Sequence, residues 1–316
     1  MGAEKGLFDT QVQMYIFRSN RKRQSRTAKS QQLTASRQQL ISYLWGHDTS
    51  LSLSLLMRIV LIGSGGVATS LVAAVASHAT ASLCGIYSRQ LAHAEALRDR
   101  FALACPVTDS LQQLPVADLY LIAVSDHAIS EVATALPPLG GLVVHTSAVT
   151  PIECLSGQHA YGVWYPFNSF AREVIVPFEG QKVLYQLGTD EGLPTLQQWN
   201  ALLQVEALPS TLDQRLWLHL AGVLASNCTN RLYTLAHRLL TQADLPTDLL
   251  DGLILRTASK ATTIDPYSAQ TGPARRHDLE TIARHRALLE QRPNDLQEVS
   301  QLYNLFTEAI LEDYPL

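Results

Sequence analysis

The sequence has few cysteines, few aromatic residues and no long apolar run. Its 316 residues include only four cysteines, without the C-x-x-C pairs or His-linked spacing of a zinc site or disulfide framework. No stretch approaches the ~20 uninterrupted apolar residues that a transmembrane helix needs. These absences argue against a disulfide scaffold, a metal site and a membrane protein. We therefore expect a soluble, cytoplasmic protein with reduced thiols and no bound metal.

Charge is distributed unevenly along the chain. Residues 1–56 carry eight Lys/Arg against three Asp/Glu and lack sustained periodicity, whereas the remaining 260 residues have a net charge of −9. The acidic balance of the larger part argues against a nucleic-acid surface. Residues 1–56 are expected to be a disordered extension. Because a strand pattern begins abruptly at Met57, translation could start there, and a basic transit peptide is the alternative.

The most informative feature is an apolar segment that leads into a glycine turn and then into a helical pattern. Residues 57–62 have the pattern of a short strand, and the turn contains Gly63, Gly65 and Ala68. This G-x-G-x-x-A spacing is typical of a βα unit that holds a dinucleotide pyrophosphate on the helix N-terminus. A purely structural turn would have the same pattern. The expected cofactor contacts in the turn are Gly63, Ser64, Gly65, Gly66 and Val67.

A second strand pattern, at residues 83–87, follows at the distance expected of a βαβ unit and ends at Ser88 and Arg89. An NAD site usually has an acidic residue at the end of this strand, where it binds the ribose 2′-hydroxyl. A hydroxyl and a guanidinium occupy this position here, which favours NADP over NAD. A solvated surface arginine is the alternative interpretation of Arg89.

Further apolar patterns at residues 119–124, 142–145 and 182–187 predict more strands, and residues 193–203 predict a helix. The loops at the carboxyl ends of parallel strands form the ligand crevice of such sheets. The expected cofactor neighbours in these loops are Val124, Ser125, Thr146 and Ser147, with ordinary capping by hydroxyls as the alternative. An aromatic-rich segment at residues 161–170 is interpreted as a loop that either lines a substrate pocket or packs in a hydrophobic contact.

From residue 211 onward the pattern is helical, with breaks at Pro246, Pro266, Pro273 and Pro293. The sequence therefore predicts an α/β fold, a Rossmann-type doubly wound parallel sheet followed by a smaller all-α domain. The predicted boundaries are residues 57–208 for the sheet domain and 209–316 for the helical domain.

Two groups of polar residues in the helical domain are candidates for chemistry. On a continuous helix over residues 212–233, Ser226 and Asn230 would each fall within about 20° of His219, and Asn227 about 80° away. Neighbouring helices or a bound substrate could supply their hydrogen-bond partners.

The second group begins at Arg276 and Asp278, where Asp278 occupies a helix N-cap position. His285 returns to the same helix face seven residues later, and an arginine ahead of a polar face suits an anionic substrate. The alternatives are a structural cap with a surface arginine, or a metal site formed with His277.

Together these residues resemble the family of Rossmann-like proteins with a helical DUF2520 domain, which is similar in architecture to the 6-phosphogluconate dehydrogenase and pyrroline-5-carboxylate reductase superfamily. The resemblance covers residues 57–316. It rests on the segments 57–68, 86–89 and 165–167, on His219 with Ser226 and Asn227, and on Thr271, Gly272, Pro273, Arg276, Asp278 and His285. The resemblance implies NADP as the cofactor and a homodimer, for which Leu249, Leu253 and Leu302 are candidate contacts.

Two positions depart from the pattern of related proteins. His277 stands where the family usually has glycine, and Val223 stands where related hydroxyacid dehydrogenases have a catalytic lysine. The mechanism of those dehydrogenases is therefore not transferred to this chain.

The leading hypothesis is an NADP(H)-dependent oxidoreductase that acts on a C=O or C=N carbon of a small anionic substrate held between the domains. His219 or His285 would exchange a proton with the substrate, because imidazole titrates near neutral pH. Asn227 would hydrogen-bond the substrate or the nicotinamide, and Arg276 with Asp278 would orient an acidic group. The alternatives are a non-catalytic NADP-binding sensor or scaffold, and an enzyme that binds another nucleotide-like ligand.

Overall fold

The structure, a computed structural model, describes residues 56–291 and 296–316. The chain divides into two compact units, with the boundary between Leu212 and Asp213. The expectations for residues 1–55 and for the break at Pro293 lie outside the described ranges.

The first unit is built on an eight-stranded sheet with the strand order β3-β2-β1-β4-β5-β6-β7-β8. The strands are β1 (Met57–Ile62), β2 (Ala81–Tyr87), β3 (Val107–Thr108), β4 (Leu119–Ile122), β5 (Leu142–His145), β6 (Ala160–Pro166), β7 (Lys182–Leu187) and β8 (Glu206–Pro209). Strands β1 to β6 are parallel, β7 runs antiparallel to β6, and β8 is parallel to β7. The order 3-2-1-4-5-6 is that of a Rossmann sheet. The predicted fold class is confirmed.

Helices cover both faces of this sheet because its strands bury both sets of side chains. The helices are α1 (Gly66–Ala76), α2 (Leu91–Arg100), α3 (Asp126–Ala135) and α4 (Leu193–Leu203). Ile59 and Leu61 of β1 pack in one buried cluster with side chains of α1, α2 and α4. Val60 and Ile62 point to the other face and pack in a second cluster with α3. The alternation of side chains along a strand therefore produces the doubly wound arrangement.

The interpretation of residues 161–170 as one loop is wrong. Residues 160–166 form β6, which pairs with β5 and β7, and Trp164 is fully buried against Trp199. This segment is a strand because it pairs on both sides and is buried on both faces. A local aromatic pattern does not reveal either property. Only residues beyond β6 form a loop.

The described residues of the second unit form helices joined by turns and loops, with no strand among them. Helix α5 (Leu212–Gly222) leads through a π-helical turn (Val223–Cys228) into α6 (Thr229–Gln242). Three more α-helices follow, which are α7 (Asp251–Ala261), α8 (Leu279–Glu290) and α9 (Gln297–Asp313). The breaks at Pro246, Pro266 and Pro273 fall between helices, as the sequence predicts. In the described ranges, no helix is both long and apolar enough to cross a membrane. The cytoplasmic location stays a prediction.

Candidate functional site

A cavity of about 500 Å³ opens at the carboxyl ends of β1 and β4. These two strands lie where the strand order of the sheet reverses, which is where α/β sheets bind ligands. The sequence-predicted residues on its wall are Gly63, Ser64, Gly65, Gly66, Val67, Ser88, Arg89, Val124 and Ser125. Most of the predicted cofactor residues therefore surround one space.

The three glycines of the turn have different surroundings. Gly63 has a φ of 130°, and a Cβ there would lie 2.4 Å from the carbonyl oxygen of Ala123. A Cβ on Gly66 would lie 2.9 Å from the carbonyl group of Phe170. At Gly65, by contrast, no atom of the described residues, apart from its chain neighbours, lies within 4 Å of the Cβ position. Gly63 and Gly66 therefore let other backbone segments pack closely, whereas Gly65 leaves space at the start of α1.

The N-terminus of α1 has no side-chain cap among the described residues. Gly65 is the N-cap residue, and the first turn contains no acidic side chain. The first amides of a helix carry partial positive charge and need acceptors. Ala68 is fully buried in the core between helix and sheet, as expected for the small third residue of the turn. Space at Gly65 and unsatisfied amides behind it fit the pyrophosphate of a dinucleotide.

The end of β2 forms the next part of the wall. The hydroxyls of Ser64 and Ser88 lie 3.3 Å apart, and the Gly63 amide donates to the Tyr87 carbonyl at 2.8 Å. Arg89 is exposed on the cavity wall. Among the described residues, no carboxylate lies within ion-pair distance of its guanidinium. The charge of Arg89 is therefore available to an anion in the cavity.

Thr146 and Ser147 are not among the residues that line this cavity. The Thr146 hydroxyl donates to the Ile122 carbonyl at 3.3 Å. The Ser147 hydroxyl accepts from the amides of Val149 and Thr150, both at 3.1 Å. Both hydroxyls bond to nearby backbone, which favours the capping alternative for Ser147.

The cavity also has lining residues that the sequence analysis did not identify. They are Tyr87, Leu111, Ala123, Ala128, Glu131, Val132, Ala135, Phe170 and Arg172. Phe170 and Arg172 belong to the overlying segment, which we define as residues 170–178, the part of the chain that follows β6 and crosses the start of α1. The aromatic composition pointed toward this segment, but no sequence fingerprint includes its arginine.

In the second unit, the π-helical turn changes the expected geometry of the polar stripe. Ser226 and Asn227 lie in this turn, and both are exposed. A π-helix has wider turns than an α-helix, so angles counted at 100° per residue do not hold across it. The predicted alignment of His219 with Ser226 and Asn230 is wrong for this reason. His219 itself lies before the turn, on α5, and is half-buried.

Asp278 acts as the N-cap of α8. Its carboxylate accepts from the Thr281 amide at 3.1 Å and from the Thr281 hydroxyl at 2.7 Å. These hydrogen bonds hold the pKa of Asp278 below its usual value, and the charge of Arg276 adds to the effect. Arg276 is exposed just before the cap. The structural interpretation of Asp278 is therefore sufficient to explain its position.

The two histidines near this cap also have hydrogen-bond partners within the helical unit. Nδ1 of His285 lies 2.8 Å from the Tyr303 hydroxyl on α9. Nε2 of His277 lies 2.6 Å from the Tyr314 carbonyl, and His277 has a left-handed backbone with a φ of 52°. Within the described residues, no group of three or more His, Cys, Asp or Glu side chains could hold a metal ion. The structure therefore gives no support to a metal site formed by His277, Asp278 and His285.

The sheet order, the cavity at the strand-order reversal and the uncapped helix define a Rossmann-type α/β protein with a helical second unit. Residues 186–310 match the family model described as a domain of unknown function, DUF2520. A "putative NADP oxidoreductase" from Bacteroides fragilis has a structure 30% identical in sequence, with a TM-score of 0.70 over 81% of this chain and 98% of that chain. The chain belongs to the family of Rossmann-like proteins with a DUF2520 domain, as the sequence resemblance indicated.

More distant structures share the fold. A pyrroline-5-carboxylate reductase from Streptococcus pyogenes is 15% identical, with a TM-score of 0.52 over 81% of this chain and 99% of that one. A reductive aminase from Aspergillus terreus, in complex with NADPH4, cyclohexanone and allyl amine, is 12% identical, with a TM-score of 0.60 over 82% and 96%. No curated protein matches the chain.

Proposed function

We propose that the protein is an NADP(H)-dependent oxidoreductase that transfers hydride to or from a C=O or C=N carbon of a small, anionic substrate. When bound, the nicotinamide supplies or accepts the hydride. One observation carries the proposal: a single cavity combines the open space at Gly65, the uncapped start of α1 and the guanidinium of Arg89. The name of the Bacteroides fragilis protein and the NADPH4 complex of the Aspergillus terreus enzyme point in the same direction.

The chain's own residues would hold the cofactor by binding its negatively charged phosphate groups. The amides at the start of α1 would donate hydrogen bonds to the pyrophosphate, which would lie near the positive end of the helix dipole, equivalent to roughly half a positive charge. Arg89 would bind the 2′-phosphate, because guanidinium matches phosphate in geometry and charge. Val124 and Ser125, at the end of β4, would line the path toward the nicotinamide.

The helical unit would supply the groups that meet the substrate. His219 or His285 would give a proton to the developing oxyanion or amine, and Asn227 would hydrogen-bond the substrate or the carboxamide. For His285 the acting nitrogen would be Nε2, since Nδ1 already lies beside Tyr303. Arg276 would bind the anionic group directly, whereas Asp278 would act mainly by fixing the turn that carries Arg276. A substrate position between the two units stays a prediction.

The test combines binding and turnover on the full chain. We expect calorimetry to detect tight NADPH binding and a panel of keto and imino acids to contain a substrate that oxidises NADPH. The variants His219→Ala and Asn227→Ala should lose turnover while NADPH still binds and the circular dichroism spectrum is unchanged. Binding without turnover on any substrate would instead indicate the sensor or scaffold alternative. Absence of heat with both NADPH and NADH would refute the proposal entirely.

We also propose that the protein forms a homodimer through its helical unit. Trp217 and Leu220 lie three residues apart on α5 and are 66% and 51% exposed, and Leu224, in the π-helical turn, is 61% exposed. Leu249 and Leu253 are also more than half exposed. Exposed apolar stripes of this kind favour association. Light scattering coupled to gel filtration should give twice the monomer mass. The variants Trp217→Glu and Leu253→Glu should lower this measured mass. A monomeric wild-type protein at micromolar concentration would contradict this proposal.

A further inference from the structure

Arg172 contributes a second arginine to the wall of the dinucleotide cavity. It lines the same space as Gly65, Ser88 and Arg89, although it follows a different strand and lies far away in the sequence. Its side chain is exposed, and no described carboxylate lies within ion-pair distance of it. Glu131 is the acidic residue on this wall. The cavity therefore presents two guanidinium groups and a positive helix end against one carboxylate.

The backbone that carries Arg172 is held in place on both sides. The backbone of Phe170 and Ala171 packs on Gly66 so closely that no Cβ fits there. The Arg172 carbonyl accepts from Nη1 of Arg100, at the end of α2, at 2.5 Å.

Two further contacts secure the rest of the overlying segment. The Val176 amide donates to the buried hydroxyl of Ser70 at 3.1 Å, and Phe170 stacks on Phe178 with ring centroids 5.9 Å apart. A side chain on a fixed backbone loses less conformational freedom when it binds a ligand. The position of Arg172 is thus a built feature of the fold.

The contacts of the segment also show which part of a dinucleotide Arg172 would meet. The segment extends from the first residue of α1 toward α2, so Arg172 lies on the side of α1 that faces β2 and α2. Arg89 lies on that same side, at the end of β2. In Rossmann sheets the end of β2 is where the adenosine ribose binds. Both arginines therefore line the cavity on the side of α1 that faces α2.

We infer that Arg172 is a second specificity residue for the 2′-phosphate of NADP(H), which it binds together with Arg89. The inference rests on the proposed function and extends it to a residue outside the glycine-turn motif. A phosphate monoester carries nearly two negative charges at neutral pH and has three acceptor oxygens, so two guanidinium groups can bind it at once. NADH has no such group and gains nothing from Arg172.

The experiment measures Kd for NADPH and for NADH by calorimetry on the full chain and on four variants. Arg172→Gln should raise the Kd for NADPH about tenfold, the usual size of one charge-assisted contact, and leave the Kd for NADH within about twofold. Arg172→Lys should be intermediate, because it keeps the charge but loses the planar donor pair. Arg89→Gln serves as the positive comparison and should also weaken NADPH selectively. Arg98→Gln is the matched control, since it removes the same charge from a position on α2 outside the cavity.

The possible results separate this inference from the proposed function. If Arg172→Gln leaves NADPH affinity unchanged while Arg89→Gln lowers it, the inference falls and the proposed function stands. If Arg172→Gln weakens NADPH and NADH equally, or if Arg98→Gln has the same effect, Arg172 does not recognise the 2′-phosphate. If the wild-type chain binds neither nucleotide, both conclusions fail. Selective loss of NADPH affinity, with an unchanged melting temperature, supports the inference.

Discussion

The glycine turn of the first unit and the turn around residues 271–278 of the second unit are built on opposite principles. At the glycine turn, the helix start has no internal cap, and space remains at Gly65. At the second turn, Asp278 caps its own helix, and His277 bonds to the Tyr314 carbonyl. The first turn leaves its amides without a side-chain cap among the described residues, whereas the second turn uses most of its polar groups to hold its own shape. On the proposed function, the uncapped amides are therefore the better guide to a ligand site.

The largest effect is expected at Gly63. A Gly63→Ala substitution forces an L-residue to a φ of 130° and places a methyl group 2.4 Å from the Ala123 carbonyl oxygen. Backbone cannot move as a flexible side chain can, so the free energy of unfolding should fall by about 3 kcal/mol or more. Urea unfolding followed by circular dichroism measures this. A loss below about 1 kcal/mol would mean that the turn is not tightly fixed to β4.

Gly65→Ala should reduce nucleotide affinity and leave stability unchanged. Because nothing lies within 4 Å of its Cβ position, we expect the same urea midpoint as the wild type within error. The methyl group would occupy the space in front of the amides, so affinity for NADPH and for NADH should both fall at least tenfold. If Gly65→Ala destabilises the fold as much as Gly63→Ala does, the contrast between the two glycines is wrong.

Asp278→Asn tests the cap of α8 through its pH dependence. The folded pKa of Asp278 is lowered, so its stabilisation is present above the unfolded pKa of about 3.9 and is lost as pH falls through the folded value. The variant should melt a few degrees lower than the wild type at pH 7, and the two melting temperatures should converge as the pH falls through the folded pKa of Asp278. A difference that persists unchanged at low pH would show that the charge of Asp278 is not involved.

The smallest effect is expected at His277, where related sequences have glycine. The left-handed backbone costs a non-glycine residue about 1 kcal/mol, and the contact with the Tyr314 carbonyl returns a similar amount. His277→Gly should therefore change the free energy of unfolding by less than about 0.5 kcal/mol. His277→Ala keeps the backbone strain and loses the contact with Tyr314, so it should be clearly less stable than the wild type and than His277→Gly. Equal stability of the Ala and Gly variants would contradict this account.

The turn and five strands of the sheet, β1, β2, β4, β5 and β7, could be predicted because their signals are local. The strand-turn-helix pattern around Gly63 fits within a dozen residues, and the apolar runs that form β4, β5 and β7 are continuous. The cap at Asp278 is equally local, since its partner is Thr281. The β6 strand was missed because its partners β5 and β7 come from distant parts of the sequence.

The π-helical turn and the overlying segment could not be predicted from local patterns either. Apolar spacing does not distinguish an α-helical turn from a π-helical one, so the alignment of His219 with Ser226 failed. Arg172 was missed because contacts such as that between Val176 and Ser70 join residues 106 positions apart. Periodicity carries no information on such pairs.

The sequence by itself determined five strands of the sheet, the glycine turn and the cation after β2, because glycine conformation and strand periodicity act over a few neighbouring residues. Only the tertiary structure decided which remote segment would cover the start of α1 and bring a second arginine to the cavity. The physical reason is that close packing between distant backbones depends on the shape of the whole unit, and local preferences do not encode that shape.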